Sequence, residues 1–309
     1  MSDTIATILI TGAAGKVSAA LLRLLLRETD ARFVLCSSRD IILPDGIEMK
    51  RITQYRCGLA DTPRLKEIFR SEKPAYVINT VSLTNVDECE RNKQLANELN
   101  VAGVERLAKL CRIYSSYFLH LSTDYVFDGI KGPYIETDLP SPINYYGRTK
   151  LAGENAVVTT SDTFAVLRTN VVYGIAPGVK TDFVQWVLNR CDSGEPFHVV
   201  DDQFGNPTLS DDIALTALRM MERAAHGIYH CGGADYCSRY DFAEQIAALF
   251  HTDSSKMQRV QTASLGQLAK RPLRAGLITH KVRSELGVTL SGITSGLNTY
   301  RHHMMKKKQ

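Results

Sequence analysis

The chain has 309 residues, of which 44% are hydrophobic and 23% charged, enough to bury a sizeable core in one large domain or two coupled ones. Its formal net charge is +4, and the lysines at 306–308 carry most of that charge, which argues against a nucleic-acid-binding surface. An acid at Asp3, no basic leader, and Arg23 and Arg27 inside the most apolar helix candidate indicate neither a signal peptide nor a membrane span.

Apolar runs of strand length alternate with helical patterns through the first half of the chain. Such alternation predicts an α/β fold with a doubly wound parallel sheet, Rossmann-like, and beyond about residue 171 the rhythm loosens into loops and a smaller lobe. The predicted strands are 8–11, 32–37, 75–80, 117–122 and 163–169. The predicted helices are 16–29, 62–72, 86–113 and one that begins near residue 145.

The first strand leads into a glycine turn and an amphipathic helix, in "ILITGAAGKVSAALLRLLL". Gly12 and Gly15 allow the backbone to approach a pyrophosphate, and the helix N-terminus favours negative charge. Ser18 stands where a third glycine usually allows close packing of helix and strand. The order strand, turn, helix favours dinucleotide binding over an ordinary glycine turn.

The end of the second strand, "CSSRD", bears on the choice of cofactor. Ser37, Ser38 and Arg39 offer hydroxyls and a guanidinium, which suit the 2′-phosphate of NADPH. The carboxylate of Asp40 is still compatible with NADH. Arg39 could also simply lie on a solvated loop and have no role in binding. The sequence favours NADPH.

Two hydroxyl side chains and one amine are predicted to lie together at the ligand crevice. Thr123 ends the strand "YFLHL" extended by "ST", and the carboxyl ends of parallel strands face the crevice. Tyr146 and Lys150, four residues apart, share one face of the helix that follows. The tyrosine-lysine pair by itself is common by chance, so its weight comes from this context.

In these motifs the chain resembles an extended short-chain dehydrogenase/reductase, and along nearly its whole length it closely resembles the dTDP-4-dehydrorhamnose reductase (RmlD-like) family. The stretches that carry the resemblance are "TGAAGKV", "VINTVSLTNVDECE", "ELNVAG", "LSTDYVFDG", "ETDLPSPINYYGRTKLAGE", "VLRTNVVYG", "VVDDQFGNPT", "GIYHCGG" and "RPLRAGL".

The resemblance implies a catalytic group of four residues. Tyr146 would give its proton to a substrate carbonyl oxygen, Thr123 would hydrogen-bond that oxygen, and Lys150 would lower the tyrosine pKa and hold the nicotinamide ribose. Asn100 stands where the superfamily often has a supporting asparagine. Taken singly, each also has an ordinary structural explanation, such as a strand-end hydroxyl, a solvated lysine or a local cap.

The resemblance also implies a cofactor wall and a substrate side. Departures from the family pattern are Gly58 in place of an aspartate, Thr80 and Val81 in place of alanines, and Val171 in place of a tryptophan that would stack on a sugar. The implied cofactor residues, beyond those named above, are Lys16 and Val17 at the diphosphate, Gly58 and Leu59 by the adenine, and Val81, Ser82, Leu83 and Thr84 along the ribose. The implied substrate residues are Thr123, Asp124, Val171, Gln203 and Arg271.

Several other residues have an ordinary structural explanation as well as a functional one. Lys180 and Arg274 lie in segments that the family uses near the cleft, but surface solvation explains them nearly as well. His230 reads as a structural histidine and Trp186 as a packing residue of the C-terminal lobe. The seven scattered cysteines show no C-x-x-C, and no cluster has metal-ligand spacing, so we expect reduced thiols and no metal.

The sequence therefore predicts a cytoplasmic NAD(P)H-dependent oxidoreductase that reduces a keto group on a nucleotide-linked 6-deoxysugar. Residues 1–170 would form the NAD(P)-binding domain and residues 171–309 mainly a substrate-binding lobe, with segments returning to the Rossmann core. The resemblance makes a homodimer plausible. The alternatives are a reductase or epimerase of another carbonyl substrate, or a non-catalytic NADP-binding regulatory subunit resembling that of methionine adenosyltransferase.

Overall fold

The computed structural model describes residues 6–43, 49–179 and 181–306. Its strands are β1 (Thr7–Thr11), β2 (Arg32–Ser37), β3 (Ile52–Arg56), β4 (Tyr76–Asn79), β5 (Tyr117–Thr123), β6 (Phe164–Thr169), β7 (Val172–Tyr173), β8 (Phe197–Val200), β9 (Phe204–Gly205), β10 (Thr208–Leu209), β11 (Gly227–Cys231), β12 (Cys237–Ser238) and β13 (Met257–Val260). Its helices are α1 (Lys16–Glu28), α2 (Thr62–Glu72), α3 (Val86–Arg91), α4 (Lys93–Asn97), α5 (Gly103–Ile113), α6 (Tyr145–Thr160), α7 (Phe183–Ser193), α8 (Ser210–Glu222), α9 (Arg239–Phe250), α10 (His280–Leu286) and α11 (Ile293–Lys306).

The main sheet of the described residues has seven strands in the order β11-β6-β5-β4-β1-β2-β3, and every neighbouring pair is parallel. One apolar cluster packs α1 and α8 against one face, and a second packs α2 and α5 against the other. Because both faces are covered, the central strands are almost continuous apolar runs, as parallel sheets require. The predicted doubly wound α/β fold is confirmed.

Two details of the sheet and its helices differ from the sequence prediction. The edge strand β3, "ITQYR", was not predicted, because only its isoleucine and tyrosine are apolar. The predicted helix 86–113 is four pieces: the Asn92 side chain caps α4 by accepting from Leu95 N at 3.0 Å, and a π-helical segment covers Glu98–Ala102. Such wide turns often lie at functional sites.

The residues after β6 build a smaller lobe and also return to the main sheet. The lobe has its own core, in which Tyr173, Phe242 and Tyr300 pack between α7, α9 and α11. β11 pairs with β6, and α8 packs along α1. Of the helices in the described part of the chain, none combines the length and the apolar character that crossing a membrane demands.

Candidate active site

The turn between β1 and α1 is built for a close approach of backbone. Gly12 has φ +74°, and a Cβ there would meet Thr80 Oγ1 at 2.6 Å. Ser18 donates to Gly12 O at 3.1 Å and lies 2.8 Å from Thr80 Oγ1, which itself donates to Thr11 O at 2.9 Å. Thr80, which stands where the family pattern has an alanine, therefore stabilises the turn through the hydrogen bonds of its hydroxyl.

A cavity of about 730 Å³ runs from this turn along the carboxyl ends of the strands. The glycine turn, the end of β2 and three of the four predicted catalytic residues, Thr123, Tyr146 and Lys150, line it, so they form one site. The sequence-predicted residues that line it are Gly12, Gly15, Lys16, Val17, Ser37, Ser38, Arg39, Gly58, Leu59, Val81, Ser82, Thr84, Thr123, Asp124, Tyr146, Lys150 and Val171. Leu83, Asn100, Gln203 and Arg271 do not line it.

Helix α6 is positioned by its cap and by two glycines. Asn144 caps it by accepting from Gly147 N at 2.8 Å, and its amide donates to Lys270 O at 2.9 Å. A Cβ at Gly147 would collide with Tyr125 O, and one at Gly153 would collide with Asn100 O. Because the glycines let α6 touch these backbones, Tyr146 and Lys150 on the same helix reach the end of β5.

The phenol of Tyr146 is buried beside Thr123. Burial raises the pKa of Tyr146, and a hydrogen bond with the Thr123 side chain works against that rise. Thr123 Oγ1 in turn donates to Asp124 Oδ1 at 3.2 Å. The tyrosine thus keeps its proton near neutral pH, which suits a group that must donate it.

Lys150 lies almost wholly inside the protein, with 1% of its surface exposed. Its Nζ donates to Leu121 O at 2.7 Å and lies 3.4 Å from His120 Nε2. Burial lowers the pKa of Lys150 to about 8, although Glu154 opposes the shift. The lysine can therefore change its charge near physiological pH.

Asn100 supports the site from behind. Its Oδ1 accepts from Leu83 N at 2.8 Å and Ser82 Oγ at 3.0 Å, and its Nδ2 donates to Thr149 Oγ1 at 3.0 Å. The π-helical segment carries this amide to the contact between α6 and the loop after β4. Asn100 and Leu83 thus belong to the wall that holds the site rather than to its surface.

The far end of the cavity is lined by Asp124, Val171 and Arg239. Asp124 is buried; burial raises its pKa, and a hydrogen bond from Asn170 at 3.0 Å works against the rise. Arg239, half-buried, lines the cavity with its guanidinium stacked over Phe183 at 5.3 Å from the ring centroid. Val171 lies here with φ +45°, a conformation that a β-branched residue rarely adopts.

The other described residues that the sequence associated with the substrate do not line the cavity. Arg271 pairs with Asp87 at 3.1 Å and donates to Ala269 O at 2.7 Å, and Gln203 donates to Thr262 Oγ1 at 3.0 Å. Arg274 stacks on Phe204 at 5.6 Å and is exposed. Lys180 lies outside the described residues.

Two residues have the structural roles that the sequence suggested. His230 is fully buried, with Nδ1 3.1 Å from Tyr134 O and Nε2 3.4 Å from the Arg168 guanidinium. Trp186 packs between Phe183 and Phe197 in the lobe core.

Four further residues at the site were missed by sequence reasoning. Asn79 and His120 lie behind Lys150, Asp182 pairs with Lys16 at 2.7 Å, and Arg239 faces the cavity. Asp182 follows a threonine at the start of a helix, which is a capping signal, but its partner is 166 residues away. Arg239 stands alone in a polar stretch and carries no local signal.

Three features of the cavity suit a dinucleotide. They are the glycine turn, the open N-terminus of α1 and the hydroxyls at the end of β2. The N-cap Gly15 offers no side chain to the first amides of α1, which leaves these donors for an anion. Within residues 6–43, 49–179 and 181–306, no cluster of three or more His, Cys, Asp or Glu could hold a metal.

Comparison with known proteins places the chain in a group of sugar-nucleotide enzymes. The family model described as RmlD substrate binding domain matches residues 6–305. The dTDP-4-dehydrorhamnose reductase of Aggregatibacter actinomycetemcomitans is 32% identical, with 96% of this chain and 98% of that protein covered. Methionine adenosyltransferase 2 subunit beta of Xenopus laevis is 31% identical over 69% of this chain and 66% of that protein.

Solved structures agree with this placement. A dTDP-4-dehydrorhamnose reductase from Clostridium acetobutylicum is 29% identical and superposes with a TM-score of 0.85, covering 97% of this chain and 99% of that one. The fold is also that of the Bacillus anthracis dTDP-4-dehydrorhamnose reductase in complex with NADP, with 23% identity and a TM-score of 0.84, covering 97% and 100% of the two chains.

Proposed function

The chain belongs to the RmlD substrate-binding-domain family and is an NAD(P)-dependent oxidoreductase, and we propose that it reduces the 4-keto group of a dTDP-linked 6-deoxysugar with NADPH. The observation that carries this proposal is the meeting of Thr123, Tyr146 and Lys150 with the glycine turn in one cavity. A binding module would need the turn alone. A carbonyl reductase needs the proton donor as well.

The chain's own residues supply the acid chemistry of a reduction. The raised pKa of Tyr146 keeps the phenol protonated, and its proton passes to the carbonyl oxygen of the sugar. Thr123 holds the phenol in place, and its hydroxyl can turn from Asp124 to the developing alkoxide. A protonated Lys150 stabilises the phenolate that remains. A bound nicotinamide cofactor would supply the hydride.

The cofactor would lie along the carboxyl ends of β1 and β2, and NADPH is the form that we propose. Gly12 and Gly15 would hold the diphosphate at the start of α1. Arg39 is exposed beside Ser37, whose Oγ accepts from Arg39 N at 3.0 Å, so its guanidinium is available to a 2′-phosphate. Asp40 is 87% exposed on its side chain and pairs with Arg56, which reduces its repulsion of that phosphate.

The substrate would lie against residues of the second half of the chain. Val171 and Arg239 line the far end of the cavity, and Asp182 lines it beside Lys16. Within the described residues the Arg239 guanidinium has no ion pair or hydrogen bond, and this supports a contact with an anionic group such as the sugar-nucleotide diphosphate. We therefore assign cofactor binding to residues 1–170 and mainly substrate binding to residues 171–309. The seven cysteines are free, which fits a reducing, cytoplasmic location.

One relative favours a second candidate function. The 31% identity to a methionine adenosyltransferase 2 subunit beta supports a regulatory subunit that binds NADP and acts on a partner enzyme. That candidate requires the cofactor groove but does not require proton transfer from Tyr146.

The test is NADPH oxidation by purified protein against a panel of 4-keto-6-deoxy nucleotide sugars. We expect turnover with a dTDP-linked member, and we expect Tyr146→Phe to reduce it by at least about 100-fold while NADPH still binds. Tyr145→Phe is the matched control, since Tyr145 precedes it in α6 and does not line the cavity. NADPH binding without turnover of any sugar would overturn the proposal in favour of the regulatory candidate.

A further inference from the structure

A buried chain of polar side chains crosses three adjacent strands behind the cavity and ends at Lys150. Thr11 Oγ1 on β1 donates to Asn79 Oδ1 on β4 at 2.7 Å, and Asn79 Nδ2 lies 3.0 Å from His120 Nδ1 on β5. His120 Nε2 then lies 3.4 Å from Lys150 Nζ on α6. Thr11, Asn79, His120 and Lys150 are each at most 1% exposed.

The hydrogen-bond donors along this series of side chains determine which ring nitrogen of His120 carries the proton. Val81 N donates to Asn79 Oδ1 at 3.1 Å, and Thr11 donates to the same oxygen, so the other end of the amide is its NH₂ group. That NH₂ group must donate to His120 Nδ1. Burial and the nearby Lys150 charge hold the pKa of His120 well below its usual range, so the ring is neutral. A neutral ring that accepts at Nδ1 carries its proton on Nε2.

The proton on Nε2 therefore points to the lysine nitrogen. A neutral amine at Lys150 can accept from Nε2–H, donate one proton to Leu121 O and direct the other to the cavity. An ammonium would instead place a second donor against Nε2–H. We propose that His120 is a positioning residue for Lys150: its Asn79-fixed tautomer presents Nε2–H to the lysine nitrogen, which destabilises the ammonium relative to the amine.

The other charged groups around Lys150 do not replace this contact. Glu154, one turn later on α6, is paired with Arg168 of β6 through Oε2 at 2.7 Å, and both are 2% exposed on their side chains. Tyr146, one turn earlier on α6, is protonated, because burial raises its pKa. Among the described ionisable groups, His120 is the one that β5 presents to the lysine nitrogen at hydrogen-bond distance.

Two measurements test the proposal, and one of them does not depend on the proposed function. The first is long-range ¹H–¹⁵N NMR of the full chain with ¹⁵N-labelled histidine, assigned with His120→Gln. We expect His120 to be protonated at Nε2 and to switch to Nδ1 in Asn79→Asp, because a carboxylate in place of the amide can only accept. A wild-type ring protonated at Nδ1 would overturn the proposal even if no sugar is reduced.

The second measurement is the pH profile of kcat/KM for NADPH, which reports ionisations of the enzyme before the cofactor binds. Loss of the Lys150 proton should lower kcat/KM as pH rises through its pKa, about 8 in the wild type. The carbonyl of His120→Gln can accept from the ammonium, so we expect this alkaline limb to move upward by roughly one pH unit.

His230→Gln, the same change at a buried histidine away from Lys150, should leave the limb in place. A loss of kcat/KM in His120→Gln that is equal at every pH would show a purely structural histidine and would overturn the proposal. If His120→Gln does not fold, Asn79→Asp gives the same comparison, because its tautomer switch also presents an acceptor to Lys150.

Discussion

The ammonium of Lys16 lies 2.7 Å from Asp182 Oδ2, so the first residue of α1 is tied to the cap of α7 across the mouth of the cavity. The same carboxylate accepts from Gly174 N at 3.0 Å and from Gln185 N at 2.9 Å. Both side chains are largely buried, with 15% and 4% exposed. The lysine proposed for the cofactor diphosphate is therefore partly neutralised by the second half of the chain.

Asp182→Asn should tighten dinucleotide binding. The amide oxygen can still accept from Gln185 N and cap α7, while the amide nitrogen loses the bond from Gly174 N and the negative charge beside Lys16 is gone. Removing a pair worth about 1 kcal/mol should lower the Kd for NADPH roughly fivefold, as measured by isothermal titration. Asp211→Asn, which removes a carboxylate that pairs with Arg23 of α1, is the control and should not change Kd. An unchanged Kd in Asp182→Asn would show that Lys16 does not reach the diphosphate.

Arg39→Asp should shift the cofactor preference from NADPH toward NADH. The new carboxylate would repel a 2′-phosphate and accept from the ribose hydroxyls, and we expect the ratio of kcat/KM for NADPH over NADH to fall at least about tenfold. Arg70→Asp is the matched control, because Arg70 is exposed on α2 and does not line the cavity. A ratio that falls equally in both variants would indicate only a general charge effect.

The fold was largely predictable from the sequence because its central strands are apolar on both faces. β1, β2, β5 and β6 are buried along nearly all their length and stand out as hydrophobic runs. β3 does not stand out as a hydrophobic run, because an edge strand packs mainly on one side. The break at Asn92 depends on a side-chain cap, which competes with a helical pattern that continues through it.

The candidate site was predictable where a motif is local, and not where its partners are distant in sequence. Gly12 and Tyr146 lie in recognisable segments and line the cavity. The contact of Asn79 with His120 spans 41 residues and depends on the register of β4 against β5, where the two are direct neighbours. Gln203 and Arg271 lie in family-like segments, but their contacts with Thr262 and Asp87 place them outside the cavity lining.

The backbone at Val171 should favour glycine. With φ +45°, a side chain there is strained, so Val171→Gly should be more stable than Val171→Ala by about 1 kcal/mol. Chemical denaturation of the two variants measures the difference, which does not depend on the lost valine packing. At Val172, in β7 with no positive φ, the same pair is the control, and there alanine should be the more stable. The same order at both positions would contradict the strain.

Lys150→Met should stabilise the fold at neutral pH and lose that advantage as the pH rises. The folded-state pKa of about 8 lies below the ordinary value of 10.5, so between these values the unfolded chain binds more protons than the folded one. The free energy of unfolding of the wild type should therefore rise with pH in this window, by up to roughly 3 kcal/mol relative to the methionine variant. Urea denaturation of both proteins at pH 7 and pH 10 measures the change. Lys109→Met, which removes an exposed lysine paired with Glu105, is the control and should show a nearly constant difference. A constant difference for Lys150→Met would mean that the buried lysine keeps an ordinary pKa, and the destabilised ammonium proposed beside His120 would then lose its support.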